Sequence, residues 1–536
     1  MSKSYDKMFQ KRSGICFFLI ICFFFSCILR LTVIVTKDYT KVQAKQSALR
    51  LSAGMARGTI FDRNMIPITN SKKKTVAAVT ATPRAITGIS NLLSGAELES
   101  TLDMLKKGKP VLCEVENQAE CDGIAFTEIF EHNTPDTPAI HLIGYTDSDG
   151  HGVSGLEKAY DDILYCNGNI DFVYTSDGLG NVLEGITPTI ENNDFAMSNG
   201  VITTLDINIQ NLVEQSANKL KKGAVIVCES NSGKIRAITS RPLFDCTNIA
   251  DYLEAEDSPL LNRATNAYNV GSVFKLCVAA AGLEKNISSH THNCVGNLEI
   301  GNRFFNCHKR SGHGVVNITR AIALSCNTFF YTFGALTGGE SIYNTASSLQ
   351  FGRGIELCNG ISTAAGNLPS KDTLLNKGNL ANFSIGQGQL LLSPVSLLNL
   401  YNSIASGGEY CSPTVVEATL KNGIMEEEKR SSPTKVMSSK TADILKNALI
   451  QVIEDGTAEE AKPSLTTAAG KTSTAQTGKY KGSVEINQSW FCGFFPADKP
   501  KYTVIVFAED MSVQEFSCAE IFAEIADSIT EYEYTD

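Results

Sequence analysis

The sequence lacks several features that would indicate other classes of protein. It contains no internal repeat, which excludes a solenoid or a propeller built from repeated units. Positive charge is not in excess, because 47 Lys and Arg stand against 57 Asp and Glu for a net charge of −10. This acidic balance argues against nucleic acid as a partner and against a polybasic domain on a membrane surface. The one tryptophan, Trp490, is flanked by Phe491, Phe494 and Phe495, which predicts that it packs in a core.

A long apolar run lies near the N-terminus. Residues 14–35 carry a single charge, Arg30, and the run is long enough to span a bilayer. No small-x-small cleavage pattern directly follows it, so an uncleaved anchor is favoured over a signal peptide. Residues 1–13 are polar and basic, which predicts a cytoplasmic N-terminus, one crossing of the plasma membrane and an extracytoplasmic remainder.

The cysteines do not form an obvious disulfide framework. The chain has 16, of which three lie in the apolar run, so an odd number, 13, remains outside it. At least one of these is therefore not paired within the chain, and most are expected to be reduced in cores. Two pairings are considered, Cys294–Cys307 across a polar loop and, second, Cys113–Cys121.

The chain is too long for one core and divides into segments. We expect a cytoplasmic tail over 1–13, a transmembrane anchor over 14–36, a pedestal over 37–198 and a catalytic domain over 199–536. Residues 37–52 are interpreted as a helical stalk, since Val42 and Leu49 are seven positions apart. Short apolar runs separated by polar turns predict a mixed, extended region over 65–198.

The pattern after Val201 predicts an antiparallel sheet flanked by helices, an α+β fold. Two strands form a hairpin and a long helical middle follows, with a buried helix that starts near Ser272. The end of the chain predicts three strands and an amphipathic helix. The predicted elements are strands 223–229, 234–240, 469–477, 489–496 and 502–509, and helices 276–283, 318–324 and 521–529.

Three short segments carry the chemistry of this chain. They are Ser272-Val-Phe-Lys275, Ser325-Cys-Asn327 and Lys471-Thr-Ser473, and they read S-x-x-K, S-x-N and K-T-S in that order. Each alone has an ordinary structural explanation, such as an N-cap serine or a lysine at a strand edge. Their joint occurrence indicates acyl transfer to a serine nucleophile from a substrate that ends in a carboxylate.

The first segment supplies an activated nucleophile. Lys275 lies one helical turn after Ser272 and can take its proton if burial and the neighbouring cation of Lys471 lower its pKa. The helix N-terminus at Ser272 offers backbone donors to a developing oxyanion, and the amide of Thr474 would complete that oxyanion hole.

The second and third segments are interpreted as the substrate site. Ser325 can relay a proton to the leaving amine, and Asn327 can hold a substrate amide. Lys471 and Thr472 can bind the terminal carboxylate, and an extended peptide would add as a strand beside residues 471–474, which include Ser473.

No metal and no cofactor are expected. Two cysteines and three histidines cluster in the sequence, but their spacing matches no standard zinc site, so a disulfide or a plain loop is favoured. These residues are His290, His292, Cys294, Cys307 and His308.

With these motifs the chain resembles a class B penicillin-binding protein, a peptidoglycan D,D-transpeptidase. Further similarity lies along nearly the whole chain. It is carried by Arg57-Gly58, Asp62-Arg63-Asn64, Gly155-Leu-Glu157, Tyr160-Asp161, Asn262-Arg263, Gly271, His313-Gly314, Ile385-Gly-Gln-Gly388, Gly470 to Gln476 and Trp490-Phe491.

The resemblance implies a function and partners. Ser272 would be acylated by the penultimate D-alanine of a peptidoglycan stem peptide, with release of the last D-alanine, and a neighbouring stem would then supply the attacking amine. β-Lactams would acylate the same serine. The family's fold would be an elongated pedestal with a transpeptidase domain and no glycosyltransferase domain, acting in cell-shape or division pathways beside a SEDS-type glycan polymerase.

Two positions depart from the family pattern, and two alternatives stay open. Ser473 stands where glycine is usual, so altered substrate or β-lactam fit is expected. Val270 stands where proline is usual, so a looser turn before the nucleophile is expected. A non-enzymatic wall-morphogenesis scaffold is one alternative. A serine β-lactamase or β-lactam sensor is the other, but we find no further carboxylate motif for deacylation, and a 13-residue tail is too short for a signalling domain.

Overall fold

The computed structural model describes residues 2–36, 48–177 and 181–535. Within them the chain forms two compact units. The first comprises Met1–Gly54, Lys74–Ile129 and Asn169–Asn193, and the second comprises Met55–Lys73, Phe130–Gly168 and Asp194–Asp536. The predicted boundary between pedestal and catalytic domain at 198/199 remains a prediction.

The helices are numbered here along the chain. They are α1 (Ser2–Thr36), α2 (Pro83–Ser90), α3 (Gly95–Leu105), α4 (Ile140–Ile143), α5 (Gly155–Ala159), α6 (Asp161–Leu164), α7 (Phe195–Ser198), α8 (Ile207–Ala217), α9 (Lys275–Glu284), α10 (Ile318–Ala323), α11 (Asn327–Thr337), α12 (Gly339–Ser348), α13 (Lys377–Ser384), α14 (Pro394–Ala405), α15 (Ser439–Asp455) and α16 (Cys518–Thr535).

The strands are numbered in the same way. They are β1 (Ala48–Arg57), β2 (Thr59–Phe61), β3 (Lys72–Val79), β4 (Val111–Val115), β5 (Ile124–Glu131), β6 (Tyr165–Thr175), β7 (Thr189–Glu191), β8 (Gly200–Thr203), β9 (Gly223–Glu229), β10 (Ile235–Arg241), β11 (Thr291–Cys294), β12 (Asn297–Ile300), β13 (Arg303–Asn306), β14 (Gly314–Asn317), β15 (Glu356–Cys358), β16 (Ile361–Ser362), β17 (Glu409–Tyr410), β18 (Val416–Lys421), β19 (Ile424–Glu427), β20 (Thr434–Lys435), β21 (Ala469–Lys481), β22 (Val484–Phe495) and β23 (Tyr502–Ala508).

Helix α1 has the composition of a membrane span. Among the residues that the structure describes, Lys11–Val33 is the one segment long and apolar enough to cross a bilayer. Its large apolar side chains, such as Phe17 and Phe18, are exposed to the surroundings rather than packed in a protein core. This finding agrees with the predicted single-pass anchor.

The first part of the predicted stalk is not described, and the second part is wrong. Residues 37–47 lie outside the described residues, whereas 48–52 belong to strand β1 and not to a helix. Leu49, Leu51 and Ala53 alternate along the strand and pack against Phe172 and Tyr174. The period of two, rather than the spacing of seven between Val42 and Leu49, was the informative pattern.

The first unit is a small α/β assembly. One sheet has the order β4-β3-β5, and the other has the order β1-β6-β7. Helices α2 and α3 pack on a small apolar cluster that includes Val79, Ile89 and Leu105. The predicted mixed region is confirmed here by these alternating strands and helices.

A five-stranded antiparallel sheet organises the second unit, with the order β10-β9-β23-β22-β21. The predicted hairpin appears as β9 and β10, and the three predicted C-terminal strands appear as β21 to β23. Phe491 and Phe495 share one face of β22 and contact Phe522 of α16. The α+β fold class is therefore confirmed, with β21 as an edge strand.

A buried ion-pair network joins residues of the motifs at Arg57-Gly58, Gly155-Leu-Glu157 and Tyr160-Asp161. The Arg57 guanidinium contacts Glu157 at 2.6 Å and Asp161 at 2.9 Å, and His132 Nε2 lies 2.7 Å from the Glu157 carboxylate. Burial raises the pKa of Glu157, but the neighbouring His132 and Arg57 outweigh it, so the pKa is lowered. The network is structural and lies within the second unit.

All 16 cysteines are free thiols. The Cys294–Cys307 and Cys113–Cys121 disulfides considered from the sequence are therefore not present. Eight of the 13 thiols outside the apolar run are buried, including Cys228, Cys277 and Cys326, as expected.

Candidate active site

The nucleophile candidate Ser272 lies on a tight turn before a buried helix. Residues Gly271–Phe274 form a 3-10 turn that leads directly into α9, and nearly every residue of α9 is buried. The predicted position of Ser272 at the start of a buried helix is confirmed. Its side chain keeps partial exposure in an otherwise buried stretch, which gives a substrate access to it.

Lys275 is the centre of the site. It is fully buried, and its Nζ donates to Ser325 O at 2.8 Å, to Ser325 Oγ at 3.2 Å and to Asn327 Oδ1 at 2.7 Å. Burial lowers the pKa of Lys275 to about 7. The first and second motifs therefore meet through one lysine, a contact that the sequence analysis did not specify.

Ser325 adopts a backbone conformation that its residue type disfavours. Its φ is 52°, in the left-handed region. It follows α10 as the left-handed residue of a Schellman ending, because Cys326 N bonds Ala321 O at 2.8 Å and Ser325 N bonds Ile322 O at 3.1 Å. Glycine is usual at such a position, so the hydroxyl is retained at a conformational cost on the order of 1 kcal/mol or more.

Asn327 begins α11, and its side chain bridges two groups. Its Oδ1 accepts from Lys275, and its Nδ2 lies 3.4 Å from Asn306 O. The first residue of α11 thus places its side-chain amide in contact with the buried Lys275.

Lys471 lies on the edge strand β21 beside the site. It is 1% exposed, and its Nζ donates to Thr472 O at 3.0 Å and Thr457 Oγ1 at 3.5 Å. Burial, and then the nearby charge of Lys275, lower the pKa of Lys471 well below its ordinary value. Thr457 also contacts the Thr472 hydroxyl at 3.2 Å, a role that no sequence motif indicated.

The remaining residues of the third motif alternate along β21. Ser473 is buried on the same face as Lys471, whereas Thr472 is half-buried and Thr474 is exposed on the other face. The edge position of β21 leaves room for the predicted addition of an extended peptide.

Two strands hold the turn that carries Ser272. Ser473 Oγ donates to Val270 O at 2.7 Å, Trp490 Nε1 donates to Asn269 O at 2.9 Å, and Asn269 N donates to Gln488 Oε1 at 2.9 Å. Trp490 is 1% exposed, which confirms its predicted place in the core. Sequence reasoning did not assign Asn269 or Gln488, because neither belongs to a recognisable motif.

Two glycines allow the close packing around this turn. Gly271 has φ +60°, and a Cβ there would lie 2.5 Å from Ser473 Oγ. Gly386 has φ +74°, and a Cβ there would lie 1.9 Å from Gly271 O. Neither position can take a larger residue without moving the nucleophile turn.

A second cluster of polar side chains lies beside the second motif. The ligand atoms of Cys294, Cys307, His313 and Cys326 are all within 4.8 Å of one another. The sequence grouped the two first cysteines with His290, His292 and His308, whereas the structure brings them to His313 and Cys326. The spacing in the sequence gave no sign of Cys326, which is remote along the chain and lies inside the S-x-N motif.

Comparison with known families and proteins gives concordant results. A family profile described as the penicillin binding protein transpeptidase domain matches residues 223–531. The peptidoglycan D,D-transpeptidase MrdA of Acinetobacter baumannii is 28% identical over 396 residues, covering 67% of this chain and 57% of its own length. Stage V sporulation protein D of Bacillus subtilis is 28% identical over 393 residues, covering 69% and 58%. The chain thus spans less than two thirds of the length of these relatives.

Solved structures share the fold. Penicillin binding protein 3 of Mycobacterium tuberculosis, complexed with aztreonam, has a TM-score of 0.65 and 21% identity, covering 91% of this chain and 97% of that chain. Penicillin-binding protein 2 of Pseudomonas aeruginosa has a TM-score of 0.62 and 20% identity. At this identity the likeness concerns the fold alone.

Proposed function

Since the chain belongs to the penicillin-binding protein transpeptidase family, we propose that it is a class B peptidoglycan D,D-transpeptidase that works through a Ser272 acyl-enzyme. The observation that carries the proposal is the contact of Lys275 Nζ with both Ser325 and Asn327. Two motifs that are far apart in the sequence thereby meet at the lysine proposed to activate Ser272, and Lys471 of the third motif is close enough for the charge of Lys275 to lower its pKa. The relatives named as peptidoglycan D,D-transpeptidases support the same reaction.

The first half-reaction forms an ester. Ser272 Oγ attacks the carbonyl carbon of the penultimate D-alanine, and its proton passes to neutral Lys275. A neutral amine has two N–H donors and one lone pair, so it can hold Ser325 O and Asn327 Oδ1 and still accept a proton. Ser325 relays a proton to the departing amine, the D-alanyl–D-alanine bond breaks, and free D-alanine leaves.

The second half-reaction restores the serine. An amine from a neighbouring stem peptide attacks the ester carbonyl, an amide forms, and Ser272 Oγ regains its proton. The helix start at Ser272 and the Thr474 amide would stabilise the oxyanion in both halves. Lys471, with Thr472, would bind the substrate carboxylate, and the donor peptide would lie beside Ser473 along β21.

The anchor defines where this chemistry takes place. We propose that residues 1–13 are cytoplasmic, that α1 crosses the plasma membrane once, and that the remaining chain lies outside. A peptidoglycan substrate is itself extracytoplasmic, which supports this orientation. A membrane glycan polymerase of the SEDS type would supply the strands to be cross-linked.

Covalent labelling of the full-length protein in detergent tests the proposal. The wild type should react with a fluorescent penicillin, because a β-lactam presents a strained amide to Ser272. Ser272→Ala should lose the label while its circular dichroism is unchanged, and Ser512→Ala, on an exposed turn outside the three motifs, should keep it.

Two results would redirect the assignment. A folded wild type that neither takes up label nor releases D-alanine from a pentapeptide would favour a non-catalytic scaffold. Rapid loss of the label through hydrolysis would favour a β-lactamase. Stable labelling with D-alanine release supports the transpeptidase.

A further inference from the structure

Four metal-type ligands converge beside the second catalytic motif. Cys294 ends β11, Cys307 directly follows β13, His313 directly precedes β14, and Cys326 lies between Ser325 and Asn327. Their ligand atoms lie within 4.8 Å of one another although they come from separate turns of the chain. The three cysteines are 2%, 1% and 0% exposed.

The distances agree with tetrahedral coordination. His313 Nδ1 lies 3.5 Å from Cys294 Sγ and 3.6 Å from Cys307 Sγ. A tetrahedral zinc ion with Zn–S of about 2.3 Å and Zn–N of about 2.0–2.1 Å holds sulfur and nitrogen roughly 3.5 Å apart. The imidazole of His313 therefore already stands at the separation from Cys294 and Cys307 that one shared ion requires, and Cys326 lies within 4.8 Å of all three.

The loop is built to keep these donors together. Cys307 N donates to Gly296 O at 2.9 Å, and His313 N donates to Cys294 O at 3.0 Å. A Cβ on Gly296 would lie 1.9 Å from Arg310 O, and one on Gly312 would lie 2.2 Å from Cys294 O. Only glycine permits this approach of the backbone, so the folding of the loop and the placement of the ligands are linked.

A disulfide between Cys294 and Cys307 would explain fewer of these contacts than a bound metal ion would. A bond between Cys294 and Cys307 would use two of the four groups and leave His313 and Cys326 gathered around it without a role. Three thiols and one imidazole match a soft, closed tetrahedral site, which is typical of structural zinc.

We propose that Cys294, Cys307, His313 and Cys326 bind one structural zinc ion that fastens the 294–313 loop to the S-x-N motif. Four protein ligands leave no open position, so the ion holds structure and does not activate water. Cys326 lies between Ser325 and Asn327, the two residues that contact Lys275. By binding Cys326, the ion would fix the backbone that carries both of them. The site is independent of whether the acyl-enzyme proposal is correct.

Metal analysis of the full-length protein, purified in detergent after growth with zinc, tests the proposal. About one zinc per chain is expected. Cys294→Ser and Cys307→Ser should lose it, whereas Cys166→Ser, a matched change at a half-exposed cysteine in β6, should keep it. Replacement of zinc by Co²⁺ should give the visible absorption of a tetrahedral thiolate site, and that absorption should vanish in Cys307→Ser.

Two further measurements make the outcome decisive. In a thiol titration under denaturing conditions, the protein should show more reactive thiols with a chelator than without one. Chelation of the native protein should also slow penicillin labelling of Ser272. A wild type that binds neither Zn²⁺ nor Co²⁺, or a non-reduced digest that contains a linked Cys294–Cys307 peptide, would overturn the proposal. One zinc per chain without penicillin labelling would leave the zinc site standing and overturn only the proposed activity.

Discussion

Ser473 and Val270, the two residues that depart from the family pattern, contact each other. The Ser473 hydroxyl donates to Val270 O at 2.7 Å, and Ser473 is 4% exposed. From the sequence we expected Ser473 to alter the fit of the substrate or of a β-lactam. The structure instead turns the hydroxyl toward the backbone that precedes Ser272, so its first effect is on the position of the nucleophile.

Substitution of Ser473 separates these two roles. If the hydroxyl holds the turn, both Ser473→Ala and Ser473→Gly should lose about 1 kcal/mol of unfolding free energy and should acylate more slowly. If the side chain merely obstructs the ligand, Ser473→Gly should acylate faster than the wild type. Thermal unfolding and the second-order rate of penicillin labelling measure the two effects, and faster labelling of the glycine variant would contradict the positioning role.

The sequence indicated the reactive side chains of the site better than the residues that hold those side chains in place. Lys275, Ser325 and Asn327, taken from two separate motifs, lie in hydrogen-bond contact, and Ser272 lies on the turn directly before Lys275. The left-handed conformation of Ser325 could not be predicted from the sequence, because the usual signal for it is glycine and this position holds serine. Supporting contacts such as that of Thr457 with Lys471 come from ordinary residues whose proximity only the tertiary fold creates.

At the scale of elements, a buried charge network fixes the end of β1 to α5 and α6. Arg57 is 3% and Glu157 is 0% exposed, so each buried charge depends on its partners in the network for compensation. Because the pKa of Glu157 is lowered on folding, its carboxylate stabilises the protein above its unfolded pKa of about 4.3. That contribution is lost as the pH falls further, through the lower folded pKa.

Removal of the Glu157 charge should be far more costly than removal of an exposed one. Glu157→Gln leaves Arg57 buried without its main partner, and we expect a loss of about 3–5 kcal/mol. Glu191→Gln breaks the exposed pair with Arg50 and should cost less than about 1 kcal/mol. Denaturant unfolding followed by Trp490 fluorescence and circular dichroism measures both variants, and equal small losses would contradict a structural role for the network.

Elements were predictable where a local pattern agreed with burial. The runs that became β9, β10 and β21 to β23 are apolar, bounded by turns and packed in one sheet. Strand β1 was misassigned because its spacing of seven was weighed above the alternation of Leu49, Leu51 and Ala53. Its partners on β6 lie more than a hundred positions away along the chain, so the strand is selected by tertiary packing rather than by local propensity.

At the scale of the whole molecule, the charges on the two sides of the anchor differ by little. Lys3, Lys7, Lys11 and Arg12 precede the apolar run, and Lys37, Lys41 and Lys45 follow it closely. Because positive charge is retained in the cytoplasm, the proposed orientation depends on this small excess in the tail.

Reversal of the tail charge should therefore change the topology of the chain. With epitope tags at both ends, external protease added to spheroplasts should remove the C-terminal tag of the wild type and spare the N-terminal one. Changing Lys3, Lys7 and Lys11 to Glu leaves Arg12 as the only basic residue before the apolar run, whereas three lysines follow the run. A measurable fraction of the protein molecules should then insert in the reverse orientation and expose the N-terminal tag. The same change at Lys421, Lys429 and Lys435, which are exposed and remote from the anchor along the chain, should leave the N-terminal tag protected. An N-terminal tag that is already cleaved in the wild type would show that the orientation is the reverse, and the catalytic site would then lie on the wrong side of the membrane for peptidoglycan.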